Sequence, residues 1–177
     1  HMDGARLMNA VVASDISAAD FAATVDSLWL DLSKGLGCPV GAVLAGTHEF
    51  IDEAWRWKHR LGGAMRQAGI IAAAGSWALA NHVERLAEDH NNARRFAKLI
   101  SEIPGVQLVN EDVQTNLIFF DVAGTQLSAQ DISTRLREQD VWIGAIDSER
   151  MRAVTHLDVS RDDVNEAADR LANVING

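Results

Sequence analysis

The pattern of apolar and polar positions changes period several times along the chain, and each change marks an element. Residues 7–13 form an apolar run compatible with a helix. Ser17 precedes Ala18-Ala19-Asp20-Phe21, an N-cap with an acid at the third position, which predicts a short helix. Residues 27–32 alternate, with Leu28, Leu30 and Leu32 separated by Trp29 and Asp31, and read as a strand. Residues 33–39 contain Gly35, Gly37 and Pro39 and read as a loop. Residues 40–45 read as a second short strand, closed by Gly46. Thr47 caps a helix running to Arg60, with Phe50, Ile51, Ala54 and Trp55 on one stripe, and Gly62-Gly63 ends it. Residues 67–80 are almost wholly small and apolar, which predicts a buried helix packed closely on its neighbours. From residue 82 to residue 103 the pattern is amphipathic, with Leu86, His90, Ala93, Ala97 and Ile100 at helical spacing.

Pro104-Gly105 breaks that helix. Strands are then predicted at 106–109 and 116–122, a helix at 128–139, strands at 141–145 and 152–156, and a helix at 160–175. Ser160 and Asp163 have the spacing of a capping box. This half alternates α and β elements and has apolar positions enough for its own core, so it reads as a small α/β domain over residues 89–177. Residues 1–88 do not balance in the same way. Two short strands among several helices make an incomplete sheet, and they read as part of a larger domain. The opening Asp3-Gly4-Ala5-Arg6 is turn-like and runs straight into apolar residues, so an N-terminal portion supplied by more chain is expected.

Composition narrows the function classes. Of 177 residues, 47% are hydrophobic and 23% charged, which is globular and not disordered. The net charge of −9 and the absence of a basic stripe argue against nucleic acid as a partner. No apolar run reaches the roughly 18 residues that span a membrane. Cys38 is the only cysteine, compatible with a reducing compartment, and a cytoplasmic enzyme is expected. His48, His82, His90 and His156 show no ligand spacing, so no metal is assigned.

Lys34 is the strongest chemical signal. It lies between a strand end and a glycine-containing loop. Gly35 and Gly37 would let the backbone approach a ligand closely, and partial burial would make the amine a better nucleophile. By composition alone a loop lysine is more often a solvated surface group.

Four separated blocks change that balance: residues 1–7 (His-Met-Asp-Gly-Ala-Arg-Leu), 32–41 (Leu-Ser-Lys-Gly-Leu-Gly-Cys-Pro-Val-Gly), 62–69 (Gly-Gly-Ala-Met-Arg-Gln-Ala-Gly) and 154–160 (Val-Thr-His-Leu-Asp-Val-Ser). In order and spacing the chain resembles the low-specificity L-threonine aldolases, corresponding to their C-terminal part. The resemblance implies a pyridoxal 5'-phosphate (PLP) enzyme of fold type I, the aspartate-aminotransferase-like α/β fold. Residues 1–88 would then be part of the large PLP-binding domain, and residues 89–177 the small domain. It implies retro-aldol cleavage of L-threonine, L-allo-threonine or a phenylserine to glycine and an aldehyde. Another PLP chemistry of the superfamily, β-elimination or racemisation, is the alternative, as is an inactive piece that needs its N-terminal half.

Site roles follow from the resemblance residue by residue. Lys34 would hold PLP as a Schiff base, Asp3 would pair with the ring nitrogen, and Arg66 would contribute to phosphate binding, in the partner's site of a homodimer or homotetramer. Arg6 and Arg152 would hold the substrate carboxylate. One departure is visible: where the family has an Arg-Lys pair before three glycines, this chain has Lys58-His59-Arg60-Leu61-Gly62-Gly63-Ala64, with His59 in place of the lysine.

Overall fold

A computed structural model describes residues 1–177, and the chain divides into two compact units, His1–Ala87 and Glu88–Gly177. In the first unit the elements are β1 (Met2–Gly4), α1 (Leu7–Ser14), α2 (Ala18–Ala22), β2 (Leu28–Asp31), β3 (Ala42–Ala45), α3 (His48–Arg60) and α4 (Ala68–Asn81). They carry a three-stranded sheet in the order β1-β2-β3. β1 and β2 are parallel, with Asp3 opposite Trp29 and Gly4 opposite Leu30. β3 returns antiparallel along β2, with Asp31 opposite Ala42. Ser17 and Thr47 cap α2 and α3 by accepting from the backbone N–H three residues on, as their spacing predicts.

Beyond element bounds, two features of this unit differ from the sequence reading. Asp3-Gly4 is not a turn but the end of β1; three residues are too few to show a period, and the pairing that makes them a strand lies 26 residues away in β2. α4 is apolar all round, yet only Gly75 and Ala78 are buried. Ile70 is 79% exposed and Trp77 58%. An all-apolar helix signals burial, but burial needs a covering surface, and this chain supplies one only along the Gly75–Ala78 side. The small core of the unit is Leu32, Leu36, Cys38 and Ala78, joined by Met8, Leu30, Ala74 and Val83.

The second unit holds most of α5 (Leu86–Ile100), then β4 (Gln107–Leu108), β5 (Leu117–Asp121), α6 (Ala129–Arg137), β6 (Gly144–Ala145), β7 (Arg150–Val154) and α7 (Arg161–Asn176). The predicted 82–103 helix is therefore shorter, beginning at Leu86 after a turn. The sheet runs β4-β5-β7-β6, antiparallel throughout. Alternation puts Ile118, Phe120, Met151 and Ala153 on the inner face, where they pack with Ile132 and Leu136 of α6 and Val164, Ala168 and Leu171 of α7. Ser160 and Asp163 form the reciprocal capping box at the start of α7. No helix is long and apolar enough to cross a membrane.

Candidate active site

Lys34 follows β2, and the turn that carries it is built by Asp31. One carboxylate oxygen of Asp31, Oδ1, accepts from both the backbone N–H and the hydroxyl of Ser33, each at 2.8 Å. The other, Oδ2, lies 3.0 Å from the Lys34 ammonium. Asp31 is buried, while Lys34 is 39% exposed. Burial pushes the Asp31 carboxyl up, but the hydrogen bonds from the Ser33 N–H, Lys34 and the Ser33 hydroxyl outweigh it and hold the group below the usual carboxylate range. The ammonium also sits over the Trp29 ring, 5.2 Å from its centre.

The loop beyond Lys34 is fastened from several sides. Gly37 donates to the Lys34 carbonyl at 2.9 Å and Cys38 donates to the Leu32 carbonyl at 2.9 Å. Gly37 has φ 71°, the left-handed region that glycine adopts without penalty, and this closes the turn. Gly35 also has a packing reason: a Cβ there would lie 2.7 Å from Asn9 Oδ1 on α1. His82, just beyond α4, holds the Leu36 carbonyl through Nδ1 at 2.6 Å. A carbonyl only accepts, so Nδ1 carries the proton. The His82 ring stands edge-on to Trp77, with centres 4.7 Å apart.

Asp3 enters through strand register. Paired residues of neighbouring strands share a sheet face, so Asp3 projects on the side of Trp29, and Trp29 lies beneath Lys34. Asp3 Oδ1 accepts from the Ala5 N–H at 3.0 Å, and its second oxygen has no partner in the chain. An amine held in place and a carboxylate with a free oxygen thus belong to one face of one sheet. These residues fit a PLP group, which needs a lysine for its aldehyde carbon and an acid for its ring nitrogen.

The remaining sequence-predicted residues are placed as follows. Arg6 occupies the N-cap position of α1. Arg66 is exposed in the turn between α3 and α4 and makes no hydrogen bond or ion pair. Arg152 lies in β7 between Phe119 of β5 and Gly144 of β6, exposed on the outer face and without an acidic partner. Its neighbour Arg150 instead grips Asp121 with two bonds, at 2.8 and 3.0 Å. Two arginines on one strand face are therefore separated into a structural pair and a free cation. Asp31, Trp29 and His82 are the site residues that sequence reasoning did not single out. The one available signal was the three-residue spacing of Asp31 and Lys34, an acid and a base with Leu32 and Ser33 between them.

Comparison with known proteins bears on this arrangement. The beta-eliminating lyase family matches residues 1–123, which include β1, the Lys34 loop and β5. The chain belongs to the beta-eliminating lyase family. The low-specificity L-threonine aldolase of Escherichia coli (strain K12) is 44% identical over 168 residues, 95% of this chain and 48% of that protein. The chain thus spans about half the length of the curated relatives it matches. Among solved structures, Leishmania major threonine aldolase shares the fold with a TM-score of 0.70 at 18% identity, over 98% of this chain and 51% of its own. C-DES, in a variant with glycine covalently linked to its PLP cofactor, overlays 60% of this chain and 28% of its own at a TM-score of 0.52 and 23% identity. The fold of this family member is the fold type I, aspartate-aminotransferase-like α/β fold that the motif blocks imply.

Proposed function

We propose that this chain carries the lysine-bearing part of a PLP-dependent lyase that cleaves β-hydroxy-α-amino acids such as L-threonine or L-allo-threonine to glycine and an aldehyde. The observation that carries the reading is the Lys34 amine, held over Trp29 on the sheet face that also presents the free oxygen of Asp3. The 44% identity to an L-threonine aldolase over 95% of the chain supports the substrate class. PLP, when bound, supplies a carbonyl that condenses with amines and a protonated ring that takes up the electron pair of the breaking Cα–Cβ bond. Lys34 would hold that group covalently through its amine. Asp3 keeps the ring nitrogen protonated. Arg6 and Arg152 bind the substrate carboxylate, for which a planar guanidinium is suited, and Arg66 binds phosphate.

In this reading residues 1–88 belong to the large cofactor-binding domain and residues 89–177 form the small domain. The phosphate loop, the group stacked on the ring and the base for the β-hydroxyl come from an N-terminal portion, and the enzyme is a homodimer or homotetramer. The exposed apolar faces of α3 and α4, with Trp55, Trp57, Ile70 and Trp77, support a need for such cover. The test is an assay of an enzyme of the relatives' length containing this chain. With L-threonine it should release glycine and acetaldehyde, and Lys34→Ala should bring the rate to background. Asp3→Asn should keep the cofactor and slow turnover by several kcal/mol of barrier, and an unchanged rate would remove Asp3 from the mechanism. A β-elimination, which the family description favours as second reading, would release an α-keto acid and ammonia instead.

A further inference from the structure

The Lys34 amine has two contacts that a cofactor lysine does not need for covalent attachment, and both come from β2. A lysine stem turns about four bonds, so its amine samples a wide shell unless something anchors it. Here the anchor is itself fixed. Ser33 engages Asp31 Oδ1 twice, which leaves Oδ2 directed at the ammonium 3.0 Å away. The Trp29 ring lies under the same nitrogen. We propose that Asp31 is a positioning residue: with Trp29 beneath, its carboxylate is the dock that holds the Lys34 amine whenever that amine is not covalently engaged.

This rests on reading Lys34 as the cofactor lysine. Such a lysine must release its hold when a substrate amine takes its place and must then be on hand to return. An amine left free to wander would pay for each return in lost orientation, whereas one docked three residues from its own strand stays within reach. Asp31 does not touch substrate in this account. It acts through Lys34.

The chain contains its own controls, because it has only three lysines. Lys34 has an aromatic face and a carboxylate, Lys58 has an aromatic face alone, 4.9 Å above Trp55, and Lys98 is exposed with neither. The experiment is residue-resolved acetylation of the full chain by limiting acetic anhydride, without PLP, at low and high salt. Wild-type Lys34 should react more slowly than Lys58 and Lys98, and salt should accelerate Lys34 selectively. Asp31→Asn keeps an oxygen for the two Ser33 hydrogen bonds and removes the acceptor for Lys34. It should raise Lys34 acetylation about fivefold, the size expected for a part-exposed ion pair, and abolish the salt effect while leaving Lys58 and Lys98 unchanged. An unchanged Lys34 rate in Asp31→Asn, or all three lysines rising together, overturns the dock. If the variant does not fold, the wild-type salt series decides alone: no selective acceleration of Lys34 overturns the proposal. Failure of the cofactor reading is separate, since it shows as a borohydride-fixed pyridoxyl group absent from Lys34 while the acetylation pattern still reports the dock.

Discussion

The two units bury their apolar residues to very different degrees. Glu88–Gly177 closes around one continuous cluster from Ala93 to Val174, with Ile118, Phe120, Ile132, Leu136, Met151 and Leu171 fully buried. His1–Ala87 gathers Leu32, Leu36, Cys38 and Ala78 into a small cluster, buries Leu7, Leu28 and Leu86 besides, and leaves β3 exposed along its length and Trp55, Trp57, Ile70 and Trp77 half-exposed or more. The better packed unit carries Arg152, an exposed cation without an acidic partner on the outer face of its sheet. The sparsely packed unit carries Lys34, and its small core reaches into the Lys34 loop itself, where Leu36 and Cys38 are buried; Asp31 and His82 pin the same loop from either side. A small core and a few local hydrogen bonds hold that loop where no broad core is present.

That contrast can be broken in order of size. Phe120→Ala should cost about 3–5 kcal/mol of unfolding free energy, because Phe120 is fully buried and packs edge-on with Phe96 at 6.4 Å. Denaturant melts would check it, and a loss below 1 kcal/mol would mean the second unit does not depend on that cluster. His82→Ala should cost about 1–2 kcal/mol by leaving the buried Leu36 carbonyl without its donor. His82→Asn, whose amide can replace Nδ1, should recover part of it, whereas equal losses for both variants would make the ring packing on Trp77 the operative contact.

Acid offers a finer probe. The hydrogen bond from Arg150 holds Asp121 below the usual carboxylate range. A depressed carboxylate stabilises the fold above its unfolded value of about 3.9 and loses that contribution as pH falls through the folded value. Stability of the second unit should therefore drop below about pH 4, and Asp121→Asn should flatten that drop. An identical slope in wild type and variant would assign the acid sensitivity to other groups. Smallest of all, Ile70→Ser should leave unfolding free energy within about 0.5 kcal/mol, because Ile70 is 79% exposed, yet reduce self-association on sizing columns.

Much of this arrangement was legible in the residues themselves. Ser17, Thr47, Ser128 and Ser160 announce helix starts, and each caps the helix it precedes. The loop that carries Lys34 is where Gly35, Gly37 and Pro39 place it, directly after β2. β1 was not legible, because its strand character comes from pairing with β2 and not from its own three residues. The burial of α4 was misread because apolar composition records what a helix needs, not what the chain provides. Asp31 was hidden for a related reason. In an alternating strand it reads as the solvent-facing polar position, and only the folding back of Ser33 and Lys34 buries it as the anchor of the turn. Trp29 likewise acquires its contact only when the turn brings Lys34 back over it, and His82 only through a distant partner, Leu36.

The central claim is that Lys34 is the residue that takes the cofactor. Incubating the protein with pyridoxal phosphate, reducing with borohydride and mapping the adduct by peptide mass tests it directly, since the competing amines of this chain are those of Lys58, Lys98 and the N-terminus. The account predicts a single pyridoxyl group on the peptide containing Lys34, lost in Lys34→Ala. An adduct on Lys58 or Lys98 instead, or one that persists at a single site in Lys34→Ala, would contradict it.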